Sequence, residues 1–304
     1  MTSRAIAIID QTNAIPAAEL ARGAAAVQKQ VTNDFGPIWN RTATVDVFPT
    51  LADKPLDSWP VVIRKKLGVD GAGVHVSRDG NKAFALVRAT PGSRDWMVTL
   101  SHEILEMLAD PFGTDSVSGP SPLDDGRTVH YLQEVCDPCQ GPERDLDPDF
   151  TFQYMVNGVF LSDFVLPAYY KAFGPGRYSF TGRVTQPREL LQGGYFTWQD
   201  PLSEEWSANY FDGNTTTTFA LGKDLSQPDV HLRGFIDRKV EAALKQGRKG
   251  RRRQKPAGVL PARAAYYEAA TAAQAVWWQS EIDRAIAKPA ASSEVFTSPN
   301  GRGS

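Results

Sequence analysis

The spacing of apolar and polar positions divides the first part of the chain into short elements. Residues 5–9 are continuously apolar and predict a buried strand. Residues 16–30 begin with a proline, are rich in alanine and predict a helix. Residues 42–48 predict a second strand. Residues 74–78 and 82–87 are β-prone and flank a glycine-containing turn, which is typical of a hairpin.

A helix is predicted over residues 95–109, because its apolar pattern ends directly before Pro111. The next stretch, residues 112–127, is rich in Gly, Pro, Ser and Asp and predicts a long loop. Residues 128–135 predict a strand. A second hairpin is expected around Asn157-Gly158, since this pair supplies the two positive φ angles of a type I′ turn.

Three parts are expected along the chain. Residues 1–182 carry the mixed pattern of strands and helices described above and predict an α+β domain. Aromatic, turn-rich segments in residues 183–231 predict a small, mostly β extension. Residues 232–304 predict a helical C-terminal segment and tail, which could dock onto a protein partner or mediate self-association.

Composition excludes several classes of protein. The 304 residues are 41% hydrophobic with a net charge of −2, which is typical of an ordinary globular protein and excludes a chain that is basic over its whole surface. No window approaches the roughly 18 uninterrupted apolar residues of a membrane span. The start of the chain lacks the apolar core of a signal peptide, and the two cysteines form no disulfide framework, so a cytoplasmic protein without membrane contact is expected.

One basic run is the exception to this balanced charge. Six of the nine residues 247–255 are Lys or Arg. Contact with nucleic acid or docking onto an acidic partner are two functional interpretations of the run. A solvated linker is the favoured interpretation, because no aromatic residues for base stacking are interleaved with the basic ones, so nucleic acid is not an expected partner.

The candidate chemistry lies on the helix predicted over residues 95–109. At about 100° per residue, an arc of roughly 100° holds His102, Glu103, Glu106 and Asp110, while apolar side chains occupy most of the remaining surface. Such a helix belongs in a core, yet burying several ionised carboxylates without partners costs several kcal/mol each, as an order of magnitude. A bound divalent cation would resolve this conflict.

The spacing of these residues favours zinc. His102 and Glu106 lie one turn apart and can reach one ion, with Glu103 beside it where a bound water would lie. This is the pattern of the His-Glu-x-x-His metalloprotease helix with Glu in place of the second His, and zinc accepts carboxylate oxygen. A third ligand must come from elsewhere. Asp110 is either an outer acceptor that fixes the His102 tautomer or a helix-end residue before Pro111, and Asp137 could have either role. Whether one of them joins the metal site stays open.

A longer stretch resembles a known family. It comprises His102-Glu-Ile-Leu-Glu-Met-Leu-Ala-Asp-Pro111, Glu134-Val-Cys-Asp-Pro-Cys139 and Val156-Asn-Gly-Val159, with Gly71-Ala-Gly-Val-His75 upstream. These segments resemble the zincin-like metalloprotease-like proteins of bacteria and fungi that carry His-Glu-x-x-Glu, and they are similar to the plant EXORDIUM and phosphate-induced proteins. The resemblance spans about residues 60–170 and does not reach the C-terminal part.

The resemblance implies a zincin-like metallopeptidase domain over residues 1–182. It implies zinc as the cofactor, His102, Glu106 and Glu134 as the metal ligands, Glu103 as the general base, and a protein or peptide as the substrate. Two alternatives remain open at this point. One is a zincin-like binding or structural component without catalysis, and the other is a nucleic-acid-associated protein acting through residues 248–255.

Several neighbouring residues have a structural interpretation beside a functional one. His75 could line a substrate cleft, although a structural role is favoured for a single histidine. Cys136 and Cys139 form a lone Cys-x-x-Cys pair, which favours packing over zinc binding or redox chemistry. Tyr169 and Tyr170 could place a phenol near an oxyanion, and core packing is favoured for them.

Overall fold

The structure, a computed structural model, describes residues 3–67, 72–78, 82–90, 92–141 and 152–223. These residues form two five-stranded sheets, one two-stranded sheet and three α-helices, with short π- and 3₁₀-helices. The helices are α1 (Ala17–Lys29), α2 (Gly36–Trp39) and α3 (Asp95–Ala109). The strands are β1 (Ser3–Asp10), β2 (Thr42–Val47), β3 (Trp59–Arg64), β4 (Gly73–Arg78), β5 (Lys82–Arg88), β6 (Ser116–Pro120), β7 (Thr128–Leu132), β8 (Tyr154–Val156), β9 (Val159–Leu161), β10 (Tyr195–Gln199), β11 (Trp206–Phe211) and β12 (Thr216–Gly222). This arrangement confirms a mixed α+β fold.

The first sheet has the order β2-β1-β3-β5-β4. Strands β1, β2, β3 and β5 are parallel, and β4 is antiparallel to β5 at the edge. Alternate residues of β3 belong to different apolar clusters, since Val61 and Ile63 lie in the main core and Val62 lies in a smaller cluster on the other face. The main-core face carries the helices.

Helix α3 is buried against this face and contacts β4, β5 and β9. Its apolar side chains are buried nearly all round, as the winding of the sequence predicts. The helix ends at Ala109, and the following Asp110 is not helical, with φ −134° and ψ 79°. Pro111 is the cause, because it offers no backbone N–H and disfavours helical dihedrals in the residue before it. Its start, carboxylate-bearing turns and end therefore follow from the local sequence.

The second sheet is antiparallel throughout, with the order β12-β11-β10-β7-β6. Strand β10 pairs with β7, where Trp198 lies opposite Tyr131 and Gln199 opposite His130. Phe196 and Trp198 belong to the same core cluster as the first sheet and α3. Strand pairing thus crosses residue 183, the predicted boundary of the β-rich extension.

A small hairpin of β8 and β9 closes the core over α1 and α3. Its turn residues Asn157 and Gly158 have φ angles of 50° and 75°, which confirms the expected type I′ pair. Ser101 of α3 ties the helix to the end of this hairpin, because its Oγ accepts a hydrogen bond from the Ser162 N–H at 2.8 Å. The helix that carries the candidate site is therefore anchored on several sides.

The structure corrects several predicted elements. The interval between the predicted strands at 42–48 and 74–78 contains β3, the central strand of the first sheet, which the sequence pattern does not predict. The predicted loop 112–127 contains β6. The helix expected to end at residue 30 continues as a π-helix, Gln30–Phe35, and the strand predicted over 128–135 ends at Leu132.

The predictions for residues 232–304, which include the basic run and the last helix, lie outside the described residues. Within the described ranges, no helix is long and apolar enough to cross a membrane.

A tight contact between β6 and the 3₁₀-helix Pro167–Tyr170 gives a test of this packing. A Cβ at Gly119 would lie 2.1 Å from the Tyr170 carbonyl oxygen, so Gly119→Ala should destabilise the protein by about 1–3 kcal/mol, the usual cost of overpacking. Thermal unfolding measures the effect. Ser118→Ala, at the exposed neighbouring position, is the control and should change stability by less than about 0.5 kcal/mol. Equal unfolding temperatures for both variants would contradict this packing.

Candidate metal centre

Helix α3 presents its polar wedge to the interior of the protein. Glu106 and Asp110 have no exposure to solvent, and Glu103 is 4% exposed. The imidazole of His102 is 12% exposed, which makes it the most accessible group of the wedge. The site therefore meets solvent at His102, with the carboxylates behind it.

His102 faces two carboxylates from different elements. Its Nε2 lies 3.3 Å from Glu106 Oε2, one helical turn away, and 3.2 Å from Asp137 Oδ1. Burial acts to lower the pKa of His102, but Glu106, Asp137 and Glu103 together raise it well above its ordinary value. The surrounding carboxylates therefore favour the positively charged form of the His102 imidazole.

Glu106 connects the helix to the segment after β7. Its Oε1 accepts hydrogen bonds from the backbone N–H groups of Cys136 and Asp137, each at 3.2 Å. Its Oε2 points toward His102 and toward His75 Nδ1, which is 3.6 Å away. The two backbone bonds fix the carboxylate orientation, because they hold one oxygen and leave the other directed at the imidazoles.

The predicted third ligand, Glu134, is brought into the same cluster. Donor atoms of Glu106, Glu134 and Asp137 lie within 4.8 Å of one another, and all three side chains are buried. The Tyr170 hydroxyl donates a hydrogen bond of 2.9 Å to the Glu134 carbonyl, which holds the backbone at this point. Asp137 opens a short 3₁₀-helix, Asp137–Cys139, with Pro138 at its centre. From the sequence, Asp137 was only a secondary candidate. In the structure, the contact of Asp137 with His102 places this residue directly at the site.

Glu103 lies against the edge strand of the first sheet. A Cβ built on Gly73 would be 2.4 Å from Glu103 Oε1, so the absence of a side chain at residue 73 makes room for the carboxylate. The other oxygen, Oε2, lies 3.7 Å from His75 Nδ1. Glu103 therefore occupies a fixed place beside Glu106, between α3 and β4.

His75 lies at this site. The sequence favoured a structural role for His75 and did not place it near the other candidate residues. It has no exposure to solvent, so it does not line an open cleft. Its Nε2 lies 3.2 Å from the Asp110 carbonyl oxygen, and its Nδ1 faces Glu103 and Glu106. The sequence signal was strand alternation, because residues 73 and 75 share one face of β4 and this face meets α3.

Asp110 has a helix-end role. Its Oδ1 accepts a hydrogen bond from the Thr114 N–H at 3.0 Å, and burial is the main cause that raises the pKa of its carboxyl. Its carbonyl oxygen contacts His75, while the acidic groups that contact His102 are Glu106 and Asp137. Of the two alternatives for Asp110, the helix-end position is the one that the structure shows.

The cysteines and tyrosines near the site are core side chains. Cys136 and Cys139 are free thiols inside the main core, and burial, more than the neighbouring carboxylates, raises the pKa of both well above the ordinary value. A raised pKa keeps a thiol protonated and unreactive. Tyr169 and Tyr170 are also fully buried. Cys136 nevertheless lies within 4.8 Å of donor atoms of His102 and Glu106.

The composition of the cluster fits a divalent cation. In this cluster the buried acidic side chains outnumber the two imidazoles; they are Glu103, Glu106, Glu134 and Asp137, with Asp110 beside them. Within the described residues, no hydrogen bond reaches His75 Nδ1 or Glu103 Oε2, although both atoms are buried. Imidazole nitrogen and carboxylate oxygen are ordinary zinc ligands.

Comparison of the chain with protein-family models, curated proteins and solved structures finds no match.

Proposed function

We propose that this protein is a zinc-dependent peptidase with a zincin-like domain. The observation that carries the proposal is the approach of Glu106 Oε2 and Asp137 Oδ1 to within 3.3 and 3.2 Å of His102 Nε2 in a buried, carboxylate-rich site. Donors that each lie about 2.0–2.2 Å from one tetrahedral zinc ion are about 3.3–3.6 Å apart. Both measured distances are close to this separation.

The order of elements supports the zincin-like part of the proposal. An antiparallel edge strand, β4, precedes a buried helix with His102-Glu103 at its centre, and acidic residues follow from a downstream segment. This is the arrangement that the family resemblance implies for a zincin-type peptidase. Glu103 and Glu106 lie on the side of α3 that faces β4 through His75.

His102 and Glu106 are the proposed ligands from the helix, and Glu134 closes the site from the segment after β7. Asp137 competes with Glu134 for this third place, because its carboxylate already contacts His102. The two residues belong to one turn of chain whose backbone is held by Glu106 Oε1 and by Tyr170. This double anchoring gives the ligand set a fixed shape before an ion binds.

Glu103 is the proposed general base. A zinc ion in this site would polarise the scissile carbonyl and acidify its bound water. The Glu103 carboxylate would accept the proton of that water and pass it to the leaving amine. Its place against Gly73 orients the carboxylate, and its slight exposure keeps bulk water from competing for the proton.

The proposed role of Glu103 predicts a separation of binding from turnover. Glu103→Gln should keep the bound zinc but lower turnover by at least about 100-fold, because the amide keeps the shape and cannot accept a proton. Zinc content by elemental analysis and hydrolysis of a peptide library, with and without chelator, are the two measurements. Glu205→Gln changes an exposed glutamate and is the control.

Three outcomes would count against the proposal. Wild-type protein purified without zinc, and unable to bind added zinc, would remove its basis. Zinc binding without any peptide hydrolysis would instead indicate a zincin-like binding component. Activity of Glu103→Gln within about tenfold of the wild type would exclude Glu103 as the base.

The ligand assignment predicts an order of zinc affinities. Glu134→Gln and Asp137→Asn should each weaken zinc binding by more than about tenfold, approaching the effect of His102→Ala, because each removes an anionic donor from the buried cluster. Asp110→Asn is the matched control, since this buried carboxyl lies on the same wedge but bonds to Thr114. Competition of the apo variants with a chelator measures the order. An Asp110 variant as defective as His102→Ala, beside a normal Glu134 variant, would reverse the assignment.

A further inference from the structure

His75 presents a buried ring nitrogen that the proposed catalytic site does not use. Its Nε2 is 3.2 Å from the Asp110 carbonyl oxygen, which can only accept, so Nε2 carries a proton and donates it. In the neutral ring, Nδ1 then has no proton and carries a lone pair. This lone pair faces Glu103 Oε2 at 3.7 Å and Glu106 Oε2 at 3.6 Å.

These distances distinguish an ion position from a hydrogen-bonded imidazolium. A charged N–H donor paired with a carboxylate lies about 2.7–2.9 Å from the oxygen. His75 Nδ1 is farther than this from both carboxylates, and no hydrogen bond reaches it or Glu103 Oε2 within the described residues. Separations near 3.6 Å are instead those of donors that share one ion at about 2.2 Å, the long end of the zinc range.

The other side of the ring has the partner that a metal-binding histidine requires. Histidine ligands usually donate their second ring N–H to a carboxylate or backbone carbonyl, which fixes the tautomer and directs the free nitrogen at the ion. The Asp110 carbonyl has this role here because α3 ends at Ala109, so the carbonyl of the cap residue Asp110 has no helical partner. Donor atoms of His75, Glu103 and Glu106 all lie within 4.8 Å of one another.

We propose that His75, Glu103 and Glu106 form a second binding position for a divalent cation, of the zinc class, which adjoins the first position and shares Glu106 with it. Two donor groups meet at this carboxylate: His102 and the residues after β7 on one side, and His75 with Glu103 on the other. The balance of charge agrees with two ions. Four buried carboxylates, those of Glu103, Glu106, Glu134 and Asp137, belong to the two donor groups, and one divalent cation offsets only part of their charge.

The second position has a regulatory consequence, which rests on the proposed function of Glu103. A carboxylate that ligates an ion holds its electron pair in that bond and is a poor acceptor for the proton of the attacking water. An ion in the second position would therefore prevent Glu103 from acting as the general base. The first ion activates the protein, and the second ion lowers its turnover.

The test counts zinc ions with zinc alone as the probe. Metal-free wild-type protein is titrated with Zn²⁺ by isothermal calorimetry, and the number of bound ions is confirmed by native mass spectrometry. His75→Gln removes the nitrogen at the Nδ1 position, while its amide N–H can still reach the Asp110 carbonyl, and far-UV circular dichroism checks its fold. His130→Gln is the matched control, because His130 lies on β7 outside both donor groups.

Wild type and His130→Gln should bind two ions in two steps. His75→Gln should keep the first step and lose the second, or bind the second ion at least about tenfold more weakly. In a peptidase assay, zinc beyond one equivalent should lower the rate of the wild type and leave that of His75→Gln unchanged. The calorimetric result stands even if no peptide substrate is found.

Four results would overturn the second position. One ion in both the wild type and His75→Gln would remove the second position and leave the proposed function intact. Two ions in both would place the second ion away from His75. Loss of all zinc from a folded His75→Gln variant would assign His75 to the first centre, whereas absence of zinc from the wild type would remove the proposed function as well.

Discussion

The burial of the Glu106 carboxylate is the constraint on which the rest of the site depends. Glu106 has no solvent exposure, so its charge must be balanced by groups that the fold supplies. Two backbone N–H groups hold one of its oxygens, and the imidazoles of His102 and His75 approach the other. These partners come from α3 itself, from β4 and from the segment after β7, and the fold therefore has to bring these three parts of the chain to one point.

Close backbone approaches make this convergence possible. Gly73 leaves the space that Glu103 occupies, and a Cβ at Gly194 would lie 2.6 Å from the Pro138 carbonyl oxygen, beside Asp137. The first glycine lies on the edge strand of the first sheet, and the second directly precedes β10 of the second sheet. Both sheets thus lie against candidate site residues, and the part of the chain after residue 183 packs against the segment that contains Asp137.

The local sequence pattern predicted the helix and its acidic wedge, because the burial of α3 follows from its own residues and its end follows from the nearby Pro111. It did not predict β3, whose Pro60 is unusual in a central strand, since proline lacks the N–H that a ladder needs. Strand β6 was hidden by its polar composition. The places of Asp137 and His75 depend on contacts between distant segments, so the sequence left each of these residues with more than one role.

The two imidazoles differ in how their tautomers are fixed, and this difference separates their chemistry. His75 Nε2 lies against the Asp110 carbonyl and the side chain is shielded from water, and among the described residues no hydrogen bond reaches its other nitrogen. His102 directs Nε2 at two carboxylates and is partly open to solvent, so an ion or a substrate group can reach it from outside. An ion that enters the site therefore meets His102 first. The His75 position lies farther inside, behind Glu106, and this order of access is the physical reason to expect sequential filling of the two positions.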